Sequence, residues 1–186
     1  IGDRRQRQMC IRDRLFSTAE IAERWQRYRR ARDIPSVPVQ LWPNLIPAPL
    51  QAAWRQPQIR QLRQRSGRLR LVVASASTPH LLAWHQQLVP ALVELMQQHP
   101  RLQLDLLGSV PMAAPLEPFR QRIRCRGHSD FSTYLQRLAE ADIGLMVLEP
   151  GPFTDAKSPN RWMECSLMGL ATVLSPIRSC TDLLEH

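Results

Sequence analysis

The sequence predicts an α/β protein in which a doubly wound parallel sheet carries helices on both faces. From Gly67 onward, short and almost uninterrupted apolar runs alternate with longer amphipathic segments. Gly, Ser and Pro separate these segments, as is typical of turns. Apolar strands that alternate with helices indicate a parallel sheet, because both faces of such a sheet are buried.

The part of the chain ahead of this sheet predicts one helix between two short strands. An apolar run ends at Ser17-Thr18, which is a good N-cap pair. Apolar residues at helical spacing then predict a helix over 19–32, and a strand is predicted over 37–42. Pro43 and the residues after it end that strand.

Two segments are expected to lie outside the folded units. Residues 1–14 have neither helical nor strand periodicity, and we expect them to be non-native or disordered. Residues 51–66 have the Pro-, Gln- and Arg-rich composition of a linker. The chain opens with Ile1 and closes in mid-pattern at His186, so a fragment of a longer protein is expected.

Residues 67–186 predict five strands connected by helices and loops. Strands are predicted over 69–74, 102–107, 123–126, 143–148 and 171–174, helices over 81–99, 131–140 and 160–168, and loops over 111–118 and 149–158. Gly169 is a typical C′ residue for the last helix. Right-handed crossovers make this a doubly wound, Rossmann-like sheet, whose ligands bind at the carboxyl ends of the strands. That rule selects the turns at 75–78, 108–109, 127–128, 149–158 and 175.

Composition excludes several classes of protein. The net charge is +9, but Lys157 is the only lysine, and such an arginine bias is what a GC-rich genome produces. The charge therefore does not indicate a nucleic-acid partner, and none is expected. No run of about 18 apolar residues exists, so no membrane span is predicted. The four cysteines lack the paired spacing of a metal site, which favours reduced thiols, a cytoplasmic location and no bound metal.

The segment from 153 to 175 carries the strongest functional signal. Lys157-Ser158 falls where a helix begins after the fourth strand, and backbone N–H groups together with an amine suit an anionic diphosphate. Glu164 lies further along that helix, where a carboxylate can accept two hydrogen bonds from a ribose diol. A capped amphipathic helix with a surface lysine and a surface glutamate would explain the same residues.

This segment resembles the signature of retaining group 1 (family 4-like) glycosyltransferases of the GT-B fold. Their pattern is K-S-x-x-K-x-x-E, four residues, and then G-x-P-x-V-x-S, with which residues 157–159, 161–164 and 169–173 agree. Residues 15–23, 39–44 and 75–80 resemble other family segments in the same order. The resemblance spans about 15–186. Ala156 stands where the family has the first of two glutamates, and Ala171 replaces a usual proline.

The resemblance implies a domain organisation and an activity. Residues 15–50 would end an N-terminal Rossmann-like domain, and 67–186 would be a nucleotide-sugar-binding domain truncated at its C-terminus. The enzyme would move a sugar from a nucleoside-diphosphate donor to a glycan, a lipid-linked acceptor or a small molecule, with retention and without a metal or cofactor. The fragment alone is expected to be inactive. The missing N-terminal domain would allow peripheral contact with the inner face of the membrane.

The resemblance also implies roles for individual residues. As catalytic residues, Lys157 would neutralise the diphosphate leaving group and Asp155 would orient sugar hydroxyls. Glu164 would bind the ribose. The other residues expected in the donor site are Ser75, Thr78, Gly108, His128 and Ser158.

Other interpretations remain open on the sequence. A non-catalytic nucleotide-binding or scaffold domain of the same fold would carry the same segments, and the absent first glutamate favours it slightly. A basic nucleic-acid-binding domain and a nucleotide-sugar epimerase are further alternatives. His128 would also fit a buried or capping histidine.

Overall fold

In a computed structural model, residues 13–54, 68–75 and 81–181 are described. Thr78 and most of the segments 1–14 and 51–66 lie outside these ranges, and the predictions made for them remain predictions. None of the helices within the described ranges is long and apolar enough to cross a membrane.

The N-terminal unit, residues 13–54, contains two short parallel strands and two helices. Its elements are β1 (Arg14–Phe16), α1 (Ala19–Arg30), β2 (Val39–Leu41) and α2 (Ala48–Ala53). Thr18 is the N-cap of α1, as predicted, because its side-chain oxygen accepts a hydrogen bond from the backbone N–H of Ile21 at 3.3 Å.

Five parallel strands form the central sheet. They are β3 (Arg70–Ser75), β4 (Gln103–Gly108), β5 (Ile123–Arg126), β6 (Ile143–Met146) and β7 (Ala171–Leu174). Their spatial order is β5-β4-β3-β6-β7, so the chain moves outward from β3 and then crosses back to its other side. The structure thus confirms the α/β class with a Rossmann-like parallel sheet. The reversal between β3 and β6 is the switch point at which such sheets bind ligands.

Helices connect the strands along the chain and pack against the sheet. They are α3 (Leu81–Ala83, a π-helical turn at Trp84–Leu88, and Val89–Gln98), a 3₁₀ helix (Ala114–Arg122), α4 (Phe131–Ala139), α5 (Pro152–Asp155), α6 (Asn160–Leu167) and α7 (Arg178–Thr181). The wide turn in α3 has a local cause. Pro90 has no N–H and crowds the preceding turn, and the Val89 N–H bonds to the Trp84 carbonyl, five residues earlier.

Two predicted loops contain helical structure. Residues 111–118 were predicted as a loop, which is wrong over most of that range because the 3₁₀ helix begins at Ala114. Pro115 and Pro118 disfavour an α-helix in this segment. Leu116 is fully buried in the core, and its packing there stabilises the 3₁₀ helix instead. The predicted loop 149–158 contains the single helical turn α5.

Two apolar layers lie on opposite faces of the sheet. Leu71 and Val73 of β3 pack into the layer beneath α3, whereas Val72 packs into the layer formed with α4 and α6. This alternation follows from the two-residue period of a strand. Since both faces of β3 are buried, the free positions for a ligand are at the ends of the strands.

The end of α6 confirms the prediction for Gly169. This residue has φ +65°, its N–H bonds to the Ser166 carbonyl at 2.9 Å, and the Leu170 N–H bonds to the Cys165 carbonyl at 2.9 Å. This pair of bonds is a Schellman motif, which glycine favours because it has no Cβ. The motif turns the chain directly into β7.

An ion-pair network that the sequence analysis missed crosses one face of the sheet. Asp105 of β4 is fully buried and receives two hydrogen bonds from Arg124 of β5. Glu140, just after α4, receives hydrogen bonds from Arg126 at 3.0 and 3.2 Å and lies 3.0 Å from Arg124. Burial alone would raise the pKa of Glu140, but these arginines hold it below its ordinary value.

Candidate functional site

Two adjoining cavities open at the carboxyl edge of the sheet. The β6 cavity, about 280 Å³, lies at the ends of β3 and β6, and the turn before α6 forms part of its wall. The β4 cavity, about 250 Å³, lies at the ends of β3 and β4 and is bounded by α4 and α6. Ala74, Ser75 and Arg161 line both cavities. A ligand lying across the end of β3 would therefore contact both cavities.

Lys157 and Ser158 line the β6 cavity. They occupy the turn between α5 and α6, and the N-cap residue of α6, Pro159, makes no side-chain hydrogen bond to the helix. The Lys157 amine lies 4.8 Å from the centre of the Phe153 ring, and burial lowers its pKa below the ordinary value. The other walls of the cavity are mostly apolar side chains of β3, β6 and α3. A positive group thus projects into a partly desolvated space, which strengthens its attraction for an anion.

Glu164 lines the β4 cavity. Its Oε2 accepts hydrogen bonds from the Tyr134 hydroxyl at 2.8 Å and from Arg161 at 3.0 Å. Burial raises the pKa of Glu164, while the Arg161 charge opposes that rise. Both contacts go to Oε2, which leaves Oε1 able to accept a hydrogen bond from a ligand hydroxyl.

Gly108 forms the junction between β3 and β4 at the mouth of the β4 cavity. It has φ +77°, and a Cβ atom at this position would lie 2.3 Å from the Ser75 carbonyl oxygen. The next residue, Ser109, donates its N–H to the same oxygen at 2.7 Å. Only glycine fits here, because both the backbone angle and the close approach exclude a side chain.

His128 follows β5 and lines the β4 cavity. Its Nε2 lies 2.8 Å from the Ser109 hydroxyl, in hydrogen-bond contact, and the side chain is exposed. A buried histidine, one of the alternatives, is therefore wrong. Nearby, Arg137 of α4 donates to the Gly127 carbonyl at 2.8 Å and fixes the loop that carries His128.

The structure brings most of the expected site residues together, but in two groups. Lys157 and Ser158 line the β6 cavity, Ser75 lines both cavities, and Glu164, Gly108 and His128 line the β4 cavity. The lysine and the glutamate thus face neighbouring spaces instead of a single crevice.

Asp155 is not brought into this group. As the last residue of α5 it lines a third cavity, which faces the N-terminal unit and is also lined by Thr18, Pro43 and Arg178. The helical turn of α5 directs this side of the segment toward α1. Thr78 lies outside the described residues.

Sequence reasoning missed Arg161 and Tyr134. Arg161 stands three residues before Glu164 on α6, a spacing that places two side chains on one helix face and could have identified it. The Arg161 guanidinium also lies 5.0 Å from the centre of the Tyr134 ring. Tyr134 lies on another helix, 30 residues from Glu164, and no local pattern indicates their contact.

No group of metal-binding side chains is formed in the described part of the chain. There, no three His, Cys, Asp or Glu residues cluster in a way that could hold a metal ion. The charged groups at the carboxyl edge that line the two cavities are instead Lys157, Arg161, Arg137 and Glu164. Cationic side chains are therefore the groups available there to bind an anion.

Comparisons with known proteins do not assign the chain to a family. No protein-family model matches the sequence, and no curated protein matches it.

Proposed function

We propose that this chain binds the donor of a GT-B glycosyltransferase, a nucleoside-diphosphate sugar, across the β6 and β4 cavities. The observation that carries the proposal is the placement of Lys157 and Glu164 in adjoining cavities at the carboxyl edge of the sheet, on either side of the end of β3. An amine and a carboxylate on either side of Ser75 match the diphosphate and the ribose of one extended ligand.

The diphosphate would lie at the start of α6. The Lys157 amine and the backbone N–H groups of the first turn of α6 supply positive charge and hydrogen-bond donors. Arg161 lines both cavities and offers a second cation near the junction. Because the β6 cavity is largely apolar, these charges are screened less by solvent than charges on an open surface.

The nucleoside would occupy the β4 cavity. Oε1 of Glu164 would accept from a ribose hydroxyl, while Tyr134 and Arg161 hold Oε2 in place. The absence of a side chain at Gly108 leaves the rim of the cavity open, and His128 stands at that rim. The ring of His128 and its hydrogen bond to Ser109 would bound the space for a base.

In the transfer step, the bond between the sugar C1 atom and the diphosphate oxygen breaks and the diphosphate takes the electron pair. The acceptor hydroxyl oxygen forms the new bond to C1, and its proton passes to the departing diphosphate oxygen. Lys157 would stabilise the negative charge that develops on the leaving group, a contribution that grows toward the transition state. Asp155 lines a different cavity and is left out of this step.

Titration of the chain with UDP, GDP and ADP by calorimetry tests the binding site. Replacing Lys157 with Ala should weaken the tightest of these nucleotides by about tenfold to hundredfold, because a charge-assisted contact is lost. The control is Arg101→Ala, which removes an exposed positive charge just before β4, near the opposite edge of the sheet, and should leave affinity unchanged. Equal affinities of wild type and Lys157→Ala would contradict the phosphate role.

A second candidate is a non-catalytic nucleotide-binding domain of the same fold. Ala156 at the position of the first glutamate, together with the placement of Asp155, favours it, because no carboxylate of the turn before α6 lines either cavity. The two candidates differ in product formation. In the longer protein that this chain would belong to, nucleotide binding without release of nucleoside diphosphate from any sugar donor would support the second.

A further inference from the structure

The turn that carries Lys157 is attached to the N-terminal unit at both of its ends. Just before the turn, the Thr18 hydroxyl donates to the Ala156 carbonyl oxygen at 3.1 Å. Just after it, the Asn44 side-chain amide donates to the Asn160 side-chain oxygen at 2.9 Å. These bonds join positions 138 and 116 residues apart. A remote part of the chain therefore holds the segment 157–159 from both sides.

The position of the Thr18 hydroxyl is itself fixed. Its oxygen accepts the Ile21 N–H at 3.3 Å as the N-cap of α1, and its single proton is given to Ala156. Helix α1 is in turn tied to α7, because Arg178 makes two hydrogen bonds to Glu23 at 2.7 and 2.8 Å. A further bond of 2.6 Å joins Arg178 to Glu20. The contact to Ala156 is thus made from an anchored helix end.

Neither Thr18 nor Asn44 lines the β6 cavity or the β4 cavity. Both act on the backbone or side chain adjacent to the turn, and the turn carries Lys157 into the β6 cavity. An amine on an unrestrained turn would lose conformational freedom when it binds an anion, and that loss would weaken binding.

We propose that Thr18 and Asn44 are positioning residues, which hold the turn 157–159 so that the Lys157 amine is placed in advance for a diphosphate. The inference rests on the proposed function and adds two residues of the N-terminal unit to the donor site. Donor binding and the contact between the two parts of the chain are then coupled through the turn.

The test measures affinity for the tightest-binding of UDP, GDP and ADP by calorimetry in the full chain. Thr18→Val keeps the shape of the side chain but removes the hydroxyl, and it should weaken binding about threefold to tenfold. Thr18→Ser keeps the hydroxyl and should restore wild-type affinity. Asn44→Ala removes an exposed side chain that caps no helix, and it should also weaken binding about threefold to tenfold. The control Gln40→Ala removes another exposed amide of the same unit and should have no effect.

A double-mutant cycle distinguishes positioning from a general structural role. If Thr18 acts through the amine, Thr18→Val adds no further loss in the Lys157→Ala background. An equal loss in both backgrounds would overturn the inference, as would wild-type affinity in both Thr18→Val and Asn44→Ala. Should Thr18→Val not fold, the cycle is made with Asn44→Ala and Lys157→Ala, and an equal loss of affinity from Asn44→Ala in both backgrounds would overturn the inference. If Lys157→Ala itself leaves affinity unchanged, the proposed function fails, and the inference fails with it.

Discussion

Arg161 and Glu164 form an ion pair of 3.0 Å along one face of α6, at the boundary between the β6 and β4 cavities. The arginine lines both cavities and the glutamate lines only one. Oε2 of Glu164 accepts hydrogen bonds from both Arg161 and the Tyr134 hydroxyl, so groups from two helices hold the carboxylate. The ionisation of Glu164 therefore depends on its neighbours as well as on its burial.

Replacing Arg161 with Ala should raise the pKa of Glu164 further. Burial already raises this pKa, and Arg161 is the nearby charge that opposes the rise. Carbon-13 NMR of the Glu164 carboxyl over a pH series measures the change. Arg137→Ala is the matched control, because Arg137 lines the same cavity but bonds to the Gly127 carbonyl. A fall in the Glu164 pKa in Arg161→Ala would show that this electrostatic description is wrong.

Replacing Tyr134 with Phe should lower the free energy of unfolding by about 1 kcal/mol, since a half-buried carboxylate loses one of its two donors. Urea unfolding measures the difference. The chain has one other tyrosine, Tyr28, whose hydroxyl accepts from Arg32 in an exposed bond. Tyr28→Phe should change stability by less than about 0.5 kcal/mol. Equal effects of the two variants would argue against a structural role for the Tyr134–Glu164 contact.

Replacing Gly108 with Ala should destabilise the fold by about 2 kcal/mol or more, because the new Cβ would meet the Ser75 carbonyl and the backbone angle would be strained. Thermal and urea unfolding measure the loss. Gly127→Ala is the control, because a Cβ there meets nothing within 4 Å, and its effect should stay within about 0.5 kcal/mol. Wild-type stability of Gly108→Ala would mean that β3 and β4 can separate at this point without cost.

Replacing Glu140 with Gln should destabilise the fold at about pH 7 by about 1 kcal/mol and have a smaller effect in acid. The pKa of Glu140 is held below its ordinary value of 4.5, so its ionised form stabilises the folded state above the unfolded pKa. That contribution is lost as the pH falls from about 4.5 through the lower folded pKa. Urea unfolding at about pH 7 and in acid below the folded pKa measures the change, with exposed Glu117→Gln as control. A difference independent of pH would exclude this linkage.

Most strands of the sheet were predictable because they are largely apolar runs bounded by turn residues. The bounds 123–126 and 171–174 agree with β5 and β7, and the C′ role of Gly169 is confirmed by its hydrogen bonds. The 3₁₀ helix at Ala114–Arg122 was missed because its stability comes from burial of Leu116 in the core, whereas its prolines indicate a loop.

The site was predictable in its residues more than in its arrangement. Lys157 and Glu164 both lie at the carboxyl edge, as the rule for parallel sheets requires. They line two separate cavities, and Ser75 and Arg161, which line both, come from different elements. The buried Asp105 was missed for a similar reason, because its partner Arg124 stands on the neighbouring strand. Contacts between elements far apart in the chain leave no periodic signal in the sequence.

Because Lys157 is the only lysine, reagents that acylate primary amines have one side-chain target, and it lies in the β6 cavity. Apart from the amino terminus, a fluorophore or biotin ester would attach in the β6 cavity, the proposed donor site. Immobilisation through amines would consequently obstruct the β6 cavity, whereas coupling through the exposed thiol of Cys125 leaves the lysine chemically unmodified.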